Sequence, residues 1–183
     1  MKAIVFDRDG TLVEFVNFLH KIEEVRINKD IIPTFKYLIN RKNIKFFMHT
    51  NQSGICRNMF DLSEVNSCNR RFLKLLKMEY NIQISFEQIY IASSFNSIYR
   101  KPTKAVVTEL QRNFNLKKEN ILYIGDTKVD FETSKKSKTK CLIYRGYAAK
   151  PLYEKLSIEN KYLAYNGIEL LEKVKHFINE SND

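Results

Sequence analysis

One stretch near the start of the chain, KAIVFDRDGT at residues 2–11, indicates both its fold class and the place of its chemistry. The apolar run does not alternate with polar residues, which is typical of a strand covered on both faces of a sheet. Asp7 and Asp9 follow the run directly, on either side of an arginine. Acidic groups this close at the end of a buried strand repel each other and lose hydration, so they need a compensating partner.

Further apolar runs of the same kind lie at 44–49, 88–92, 121–125 and 140–144. Helical periodicity fills the segments 30–41, 63–80 and 103–114, and a strand-like YLAY at 162–165 precedes a last helical segment at 167–178. We assign every apolar stripe of these helices to the core, including Ile39, Met78 and Ile168. Strands that alternate with helices predict an α/β fold with a doubly wound parallel sheet, right-handed crossovers and strand order 5-4-1-2-3.

Length and composition narrow the class of protein. The 183 residues, 44% of them hydrophobic, predict a single globular domain over 1–183. No apolar stretch approaches the roughly 20 residues that span a bilayer, and the first strand begins too early to leave room for a signal sequence. Three widely spaced cysteines fit reduced thiols. We therefore expect a cytoplasmic monomer with no membrane partner.

The formal net charge of +10 is compatible with an anionic partner such as nucleic acid. Lysines are nevertheless spread over every predicted helix, and the densest run, KKSKTK at 135–140, is predicted to lie on a solvated helix end. We therefore attribute the charge to general composition rather than to a nucleic-acid surface.

Polar residues follow each predicted strand, where the carboxyl ends of parallel strands meet at one edge of the sheet. They are Asp7 and Asp9 with Gly10 and Thr11, then Thr50 to Gly54, then Arg100 and Lys101, and finally Gly125, Asp126 and Asp130. Carboxylates without soft ligands suit Mg²⁺, and a cation between Asp7 and Asp126 would offset their repulsion. A lysine and a turn with hydroxyl and N–H donors can hold a phosphoryl group, which one aspartate attacks while another protonates the leaving oxygen.

Four motifs in this order resemble those of the haloacid dehalogenase-like (HAD) superfamily of phosphatases, subfamily IIIA. They are FDRDGT at 6–11, TNQSGI at 50–55, RKP at 100–102 and GDTKVD at 125–130, so the resemblance spans residues 2 to about 146. The most similar branch holds D,D-heptose 1,7-bisphosphate phosphatase and histidinol-phosphate phosphatase. The resemblance implies a three-layer, Rossmann-like fold and a phosphoric monoester hydrolase that uses Mg²⁺ and an aspartyl-phosphate.

The resemblance also implies roles for individual residues. Asp7 is the nucleophile, Asp9 is the general acid and then base, and Thr50 and Lys101 hold the phosphoryl oxygens. Asp126 binds Mg²⁺ with Asp7 and the Asp9 carbonyl, and Asp130 orders metal-bound water or orients Lys101, although it can also simply begin a helix. The residues expected to bind substrate are Asn51, Gln52, Ser53, Arg57 and Arg100.

Two departures from the branch concern the substrate. The stretch before RKP, ASSFNSIY at 92–99, has no cysteine or histidine and so lacks the branch's zinc loop. Asn58 stands where the branch has glycine.

The spacing of the motifs leaves no room for a cap domain. Only 38 residues separate Thr11 from Thr50, and 48 separate Asn51 from Arg100. The loops 12–28 and 92–99 must therefore exclude water and recognise the leaving group.

Three functions remain open from the sequence. The first is a phosphatase of a small metabolite, such as a heptose bisphosphate, and Arg8 favours it because polynucleotide 3′-phosphatases usually have an apolar residue there. The second is a polynucleotide 3′-phosphatase, favoured by the tyrosine before RKP, the missing zinc loop and the positive charge. The third is a catalytically silent binding module, against which the intact acidic and lysine set argues. We rank the first highest.

Overall fold

A parallel six-stranded sheet forms the centre of the computed structural model, which describes residues 1–150 and 158–180. Its spatial order is β3-β2-β1-β4-β5-β6, and every neighbouring pair is parallel. The strands are β1 Lys2–Phe6, β2 Ile44–Asn51, β3 Gln88–Ala92, β4 Ile121–Gly125, β5 Lys140–Tyr144 and β6 Leu163–Ala164. The predicted order of the first five strands is confirmed, and β6 extends the sheet beyond β5.

Five α-helices cover the two faces of the sheet. They are α1 Ile32–Leu38, α2 Leu62–Tyr80, α3 Ala105–Phe114, α4 Lys128–Ser137 and α5 Gly167–Asn179. The apolar faces of α1, α2 and α5 pack on one side against Ile4 and Phe6 of β1. On the other side α3 packs against Ala3 and Val5, and Phe131 of α4 packs against Cys141 and Ile143 of β5. This alternation explains why β1 reads as an uninterrupted apolar run.

Three residues that we assigned to the core lie at the surface instead. Ile39, Met78 and Ile168 are 41%, 67% and 75% exposed. Ile39 follows the last residue of the short helix α1, and Ile168 lies in the first turn of α5. Met78 is in the last turn of α2, which continues to Tyr80. At about 100° per residue, Met78 and Ile168 lie off the buried faces of their helices, and Ile39 lies beyond the end of α1. The assignment of these three residues to the buried stripes was therefore wrong.

The connections around β2 carry no inserted domain in the described part of the chain. Between β1 and β2 lie an irregular segment with short 3₁₀ helices at Ile22–Glu24 and Lys29–Ile31, and then α1. Between β2 and β3 lie a 3₁₀ turn at Ile55–Arg57 and α2. The described ranges 1–150 and 158–180 contain no helix that combines the length and the apolar character needed to span a bilayer.

Candidate active site

The ends of β1, β2 and β4 and the segment after β3 meet around one pocket of about 250 Å³ at the carboxyl edge of the sheet. Phe6 is in register with Met48 of β2 and Ile124 of β4, so the residues that follow these strands lie side by side. The pocket is lined by Asp7, Asp9, Phe15, Thr50, Asn51, Lys101, Asp126, Thr127, Val129, Asp130 and Lys150. The predicted convergence of the four motifs is therefore present.

Lys101 is the partner of the buried aspartate Asp7. Its Nζ lies 2.5 Å from Oδ1 of Asp7 and 2.6 Å from Oδ1 of Asp130, and the three side chains are almost fully buried. Buried charges are tolerated when they are paired and hydrogen-bonded. The ammonium group of Lys101 thus compensates part of the negative charge that we had assigned to a metal ion alone.

Burial and neighbouring charges shift the pKa values of these groups in different directions. Burial raises the pKa of Asp7 well above its usual range, and Lys101 opposes the shift only in part. Burial, followed by the charge of Asp130, raises the pKa of Asp126 to about 7. Burial also disfavours the charge of Asp130, but Lys101 and the hydrogen bonds from Thr127 together outweigh burial and lower the pKa of that carboxyl. One ammonium group among three carboxylates leaves negative charge that a further cation would stabilise.

The acidic cluster fits a magnesium ion. One carboxylate oxygen from each of Asp7, Asp126 and Asp130 lies within 4.8 Å of the others. Oδ2 of Asp126 accepts a hydrogen bond from the backbone N–H of Lys150 at 3.1 Å, whereas its Oδ1 is buried without a partner among the described residues. Carboxylate oxygens are the ligands that Mg²⁺ prefers. Asp7 and Asp126 could hold such an ion, and this assignment stays a prediction.

Two glycines allow this close packing of acids. Gly10 has φ of +83°, and a Cβ there would lie 2.3 Å from Oδ2 of Asp126. A Cβ on Gly125 would lie 2.3 Å from Cγ of Asp130. Side chains at these two positions would displace the carboxylates, and at Gly10 an L-residue would also be strained.

Asp130 has a structural partner for each of its oxygens. Oδ2 accepts a hydrogen bond from the backbone N–H of Thr127 at 3.1 Å, which is one half of the capping box of α4, and another from Oγ1 of Thr127 at 2.6 Å. Oδ1 accepts from Lys101. Asp130 therefore both caps the start of α4 and contacts Lys101. Its role toward a metal stays a prediction.

Asp9 is held by residues at and just after the end of β2 and by its own neighbour in sequence. Its Oδ2 accepts a hydrogen bond from Nε2 of Gln52 at 2.9 Å and lies 3.4 Å from Oγ1 of Thr50. Its Oδ1 accepts from Arg8. Nε2 of Gln52 also lies 2.8 Å from Oγ1 of Thr50, so this buried amide fixes two pocket side chains at once.

Asn51 fixes the backbone of Lys101. Its Oδ1 accepts from the Lys101 N–H at 2.9 Å, and its Nδ2 donates to the Lys101 carbonyl at 3.2 Å. This pair of hydrogen bonds ties the end of β2 to the segment that carries the lysine. Asn51 also lines the pocket, so its predicted contact with substrate stays a prediction.

Among the described residues, Gln52, Ser53, Arg57 and Arg100 do not line the acidic pocket. Arg57 and Arg100 instead lie on the half-exposed ring of Phe95, with guanidinium carbons 5.5 and 4.8 Å from its centroid. Nη1 of Arg100 is buried and has no hydrogen-bond partner among the described residues. We call Arg57, Phe95 and Arg100 the arginine–phenylalanine cluster. The substrate-binding role of its two arginines stays a prediction.

Four residues of the pocket were not predicted from the sequence: Phe15, Thr127, Val129 and Lys150. Thr127 and Val129 lie inside the quoted motif GDTKVD, which was the available signal. Phe15 and Lys150 come from segments without a motif. The backbone hydrogen bond from Phe15 to the carbonyl of Ala148, at 2.8 Å, brings those two segments together.

Comparisons with known proteins agree with this geometry. The sequence model of the family described as polynucleotide kinase 3 phosphatase matches residues 2–150. The histidine biosynthesis bifunctional protein HisB of Campylobacter jejuni is 33% identical over 137 residues, which cover 70% of this chain and 37% of that protein. This chain thus spans little more than a third of the length of that relative.

This chain covers a larger share of a second relative and of a solved structure. The D-glycero-alpha-D-manno-heptose-1,7-bisphosphate 7-phosphatase of C. jejuni is 28% identical over 133 residues, covering 72% of this chain and 74% of the relative. The structure of D,D-heptose 1,7-bisphosphate phosphatase from B. bronchiseptica, in complex with magnesium and phosphate, superposes with a TM-score of 0.78. That match covers 96% of this chain and 99% of the other at 18% identity, and it supports the fold.

Proposed function

The chain belongs to the polynucleotide kinase 3 phosphatase family. From this premise we propose that it is a phosphatase with the haloacid dehalogenase-like fold, which hydrolyses a phosphate monoester with Mg²⁺ through an aspartyl-phosphate. The observation that carries the proposal is the contact between Lys101 and Asp7, beside an Asp126 oxygen that lacks a partner among the described residues. Together they support Asp7 as the nucleophile, Lys101 as the cation for phosphoryl oxygens and Asp126 as a metal ligand.

The positions of the side chains support a two-step chemistry. A carboxylate oxygen of Asp7 attacks phosphorus, the bond from phosphorus to the leaving oxygen breaks, and Asp9 donates a proton to that oxygen. Asp9 then takes a proton from water, which attacks phosphorus and releases phosphate and the free Asp7 carboxylate. Lys101 and Thr50 are placed to stabilise charge on the phosphoryl oxygens. Bound Mg²⁺ would supply further charge neutralisation there.

We expect phosphate release to depend on Mg²⁺. Exhaustive chelation should abolish release from any substrate that is turned over, and added Mg²⁺ should restore it, because the site combines oxygen ligands with excess negative charge. The measurement is phosphate release before chelation, after it and after Mg²⁺ is returned. Activity that survives chelation, or stoichiometric zinc in the purified protein, would contradict this assignment.

For the substrate, we propose a small phosphorylated metabolite, such as a heptose bisphosphate. The names of the relatives and the Arg8-containing motif support this choice. The arginine–phenylalanine cluster adds two cations and an apolar face near Lys101, since Arg100 directly precedes that lysine. A second anionic group on the metabolite would pair with these guanidinium groups.

We expect Arg100→Met to raise KM for the best metabolite by about 10- to 100-fold and to change kcat little, because a hydrogen bond to a charged group is lost. Steady-state kinetics measure the two constants separately. Arg112→Met is the matched control, since Arg112 is exposed on α3 and its side chain donates a hydrogen bond to the neighbouring Asn113. An unchanged KM would remove Arg100 from substrate binding.

A polynucleotide 3′-phosphatase is the second candidate function. The description of the matching family and the exposed aromatic ring of Phe95 favour it, because aromatic side chains stack on bases of single strands. Sugar phosphates and a 3′-phosphorylated oligonucleotide should be compared in one assay with Mg²⁺. A kcat/KM for the oligonucleotide well above that for every sugar phosphate would reverse our ranking and leave the phosphatase assignment in place.

A further inference from the structure

Arg8 is an arginine in the interior, between the two aspartates of the first motif. It is 1% exposed, and it does not line the acidic pocket. A buried guanidinium group is costly, and well-packed apolar residues in place of a buried ion pair are often as stable or more so. The position of this charge therefore calls for a role beyond stability.

The guanidinium group of Arg8 holds one oxygen of Asp9. Its Nε donates to Oδ1 of Asp9 at 3.0 Å, and its Nη2 lies 2.9 Å from the same oxygen. Oδ2 of Asp9 is the oxygen that contacts Thr50 and Gln52 at the pocket. Because each oxygen has its own donors, the carboxyl group has one defined orientation, with Oδ1 toward Arg8 and Oδ2 toward Thr50.

Arg8 is itself fixed by two other parts of the chain. Nη2 donates to the carbonyl of Leu19 at 3.1 Å, and Nη1 donates to Oδ1 of Asn69 at 3.4 Å. Leu19 belongs to the loop 12–28, and Asn69 is a buried residue of α2. The backbone carbonyl of Arg8 also accepts from the N–H groups of Leu12 and Val13, at 2.9 and 3.0 Å, where that loop begins.

We infer that Arg8 is a positioning residue for the acid–base step, which orients the Asp9 carboxyl group toward the leaving oxygen and ties that orientation to the loop 12–28 and to α2. The inference rests on the proposed function, in which Asp9 protonates the leaving group. Arg8 does not touch the substrate and acts only through Asp9. A variant without the guanidinium group retains Asp9 but loses the contacts that fix Oδ1.

The test is a double-mutant cycle with two substrates. Arg8→Met should lower kcat for an alkyl phosphate by about 10- to 100-fold, a part of the 10²–10⁴-fold that acid–base catalysis contributes. For 4-nitrophenyl phosphate, whose leaving group needs little protonation, the loss should stay within about threefold. KM should change little for either. In the Asp9→Asn background, Arg8→Met should lower kcat for the alkyl phosphate by no more than about a further threefold. The effects of substituting residues that act as a unit are not additive.

Arg8→Lys and Asn69→Leu keep the test decisive if Arg8→Met does not fold. Arg8→Lys restores a charge near Oδ1, and it should recover part of the alkyl-phosphate activity. Asn69→Leu removes only a contact that orients Arg8, and it should show a smaller loss with the same preference for alkyl phosphates. Equal losses on both substrates, or effects that multiply in the cycle, would overturn the inference. An inactive wild type, or no leaving-group preference in Asp9→Asn, would instead refute the proposed function.

Discussion

Asp7→Asn is expected to abolish turnover, with a loss of about 10⁴-fold or more, because an amide oxygen is far too weak a nucleophile to replace the carboxylate. The asparagine has nearly the same shape, and its amide oxygen can still accept a hydrogen bond from Lys101. The fold should therefore persist while the attacking group is lost. Phosphate release measures the effect, and acid quenching followed by peptide mapping detects the aspartyl-phosphate on Asp7 in the wild type.

Glu119→Gln is a matched control, because it removes one negative charge from an exposed position in the 3₁₀ turn Lys118–Asn120. This variant should keep wild-type activity and stability. Residual activity of Asp7→Asn above about 1% would show that another group attacks phosphorus, since loss of a nucleophile leaves far less. Phosphorylation mapped to Asp9 or Asp126 would show the same and would redirect the mechanism.

The positions of the strands were predictable from the sequence because parallel strands covered on both faces give a strong local signal. Their order followed from the doubly wound arrangement that alternating strands and helices with right-handed crossovers predict. Each apolar run of the first five strands coincides with an observed strand, and only β2 extends further, to Asn51. The meeting of Asp7 with Asp126 followed from the same topology, since both directly follow strands that are neighbours in the sheet. These inferences needed only the order of elements and the position of each motif after its strand.

The charge partners in the site could not be predicted in the same way. That Lys101 contacts Asp7 rather than only a phosphoryl oxygen depends on how far its side chain reaches across the pocket. The inward direction of Arg8 likewise depends on Leu19 and Asn69, which are distant in sequence. Sequence periodicity describes which face of an element is apolar, but it contains no information about such pairings between loops.

Lys101→Met is expected to destabilise the metal-free protein by about 3–5 kcal/mol, the usual cost of removing one partner from a buried ion pair. Methionine fills the space of the lysine stem but has no charge. Asp7 and Asp130, both nearly fully buried, would lose the ammonium group that lies 2.5 and 2.6 Å from their oxygens. Urea unfolding without metal measures the change in the free energy of unfolding. Lys45→Met, which breaks the more exposed pair with Glu87, should cost no more than about 1 kcal/mol.

Magnesium should separate the electrostatic role of Lys101 from its role in packing. Because the variant has one positive charge fewer among Asp7, Asp126 and Asp130, a divalent cation should raise its free energy of unfolding more than that of the wild type. A packing defect would not respond to the ion, because it does not depend on charge. It should also be small, since methionine and lysine occupy similar volumes. Turnover should fall sharply and should not return with Mg²⁺, because the ion cannot restore the ammonium group beside the phosphoryl oxygens. Equal stability of variant and wild type without metal would show that Lys101 is not the counter-ion of these acids. Turnover within about tenfold of wild type would remove Lys101 from the phosphoryl site, because loss of a donor to a charged oxygen costs about 10²–10³-fold in kcat.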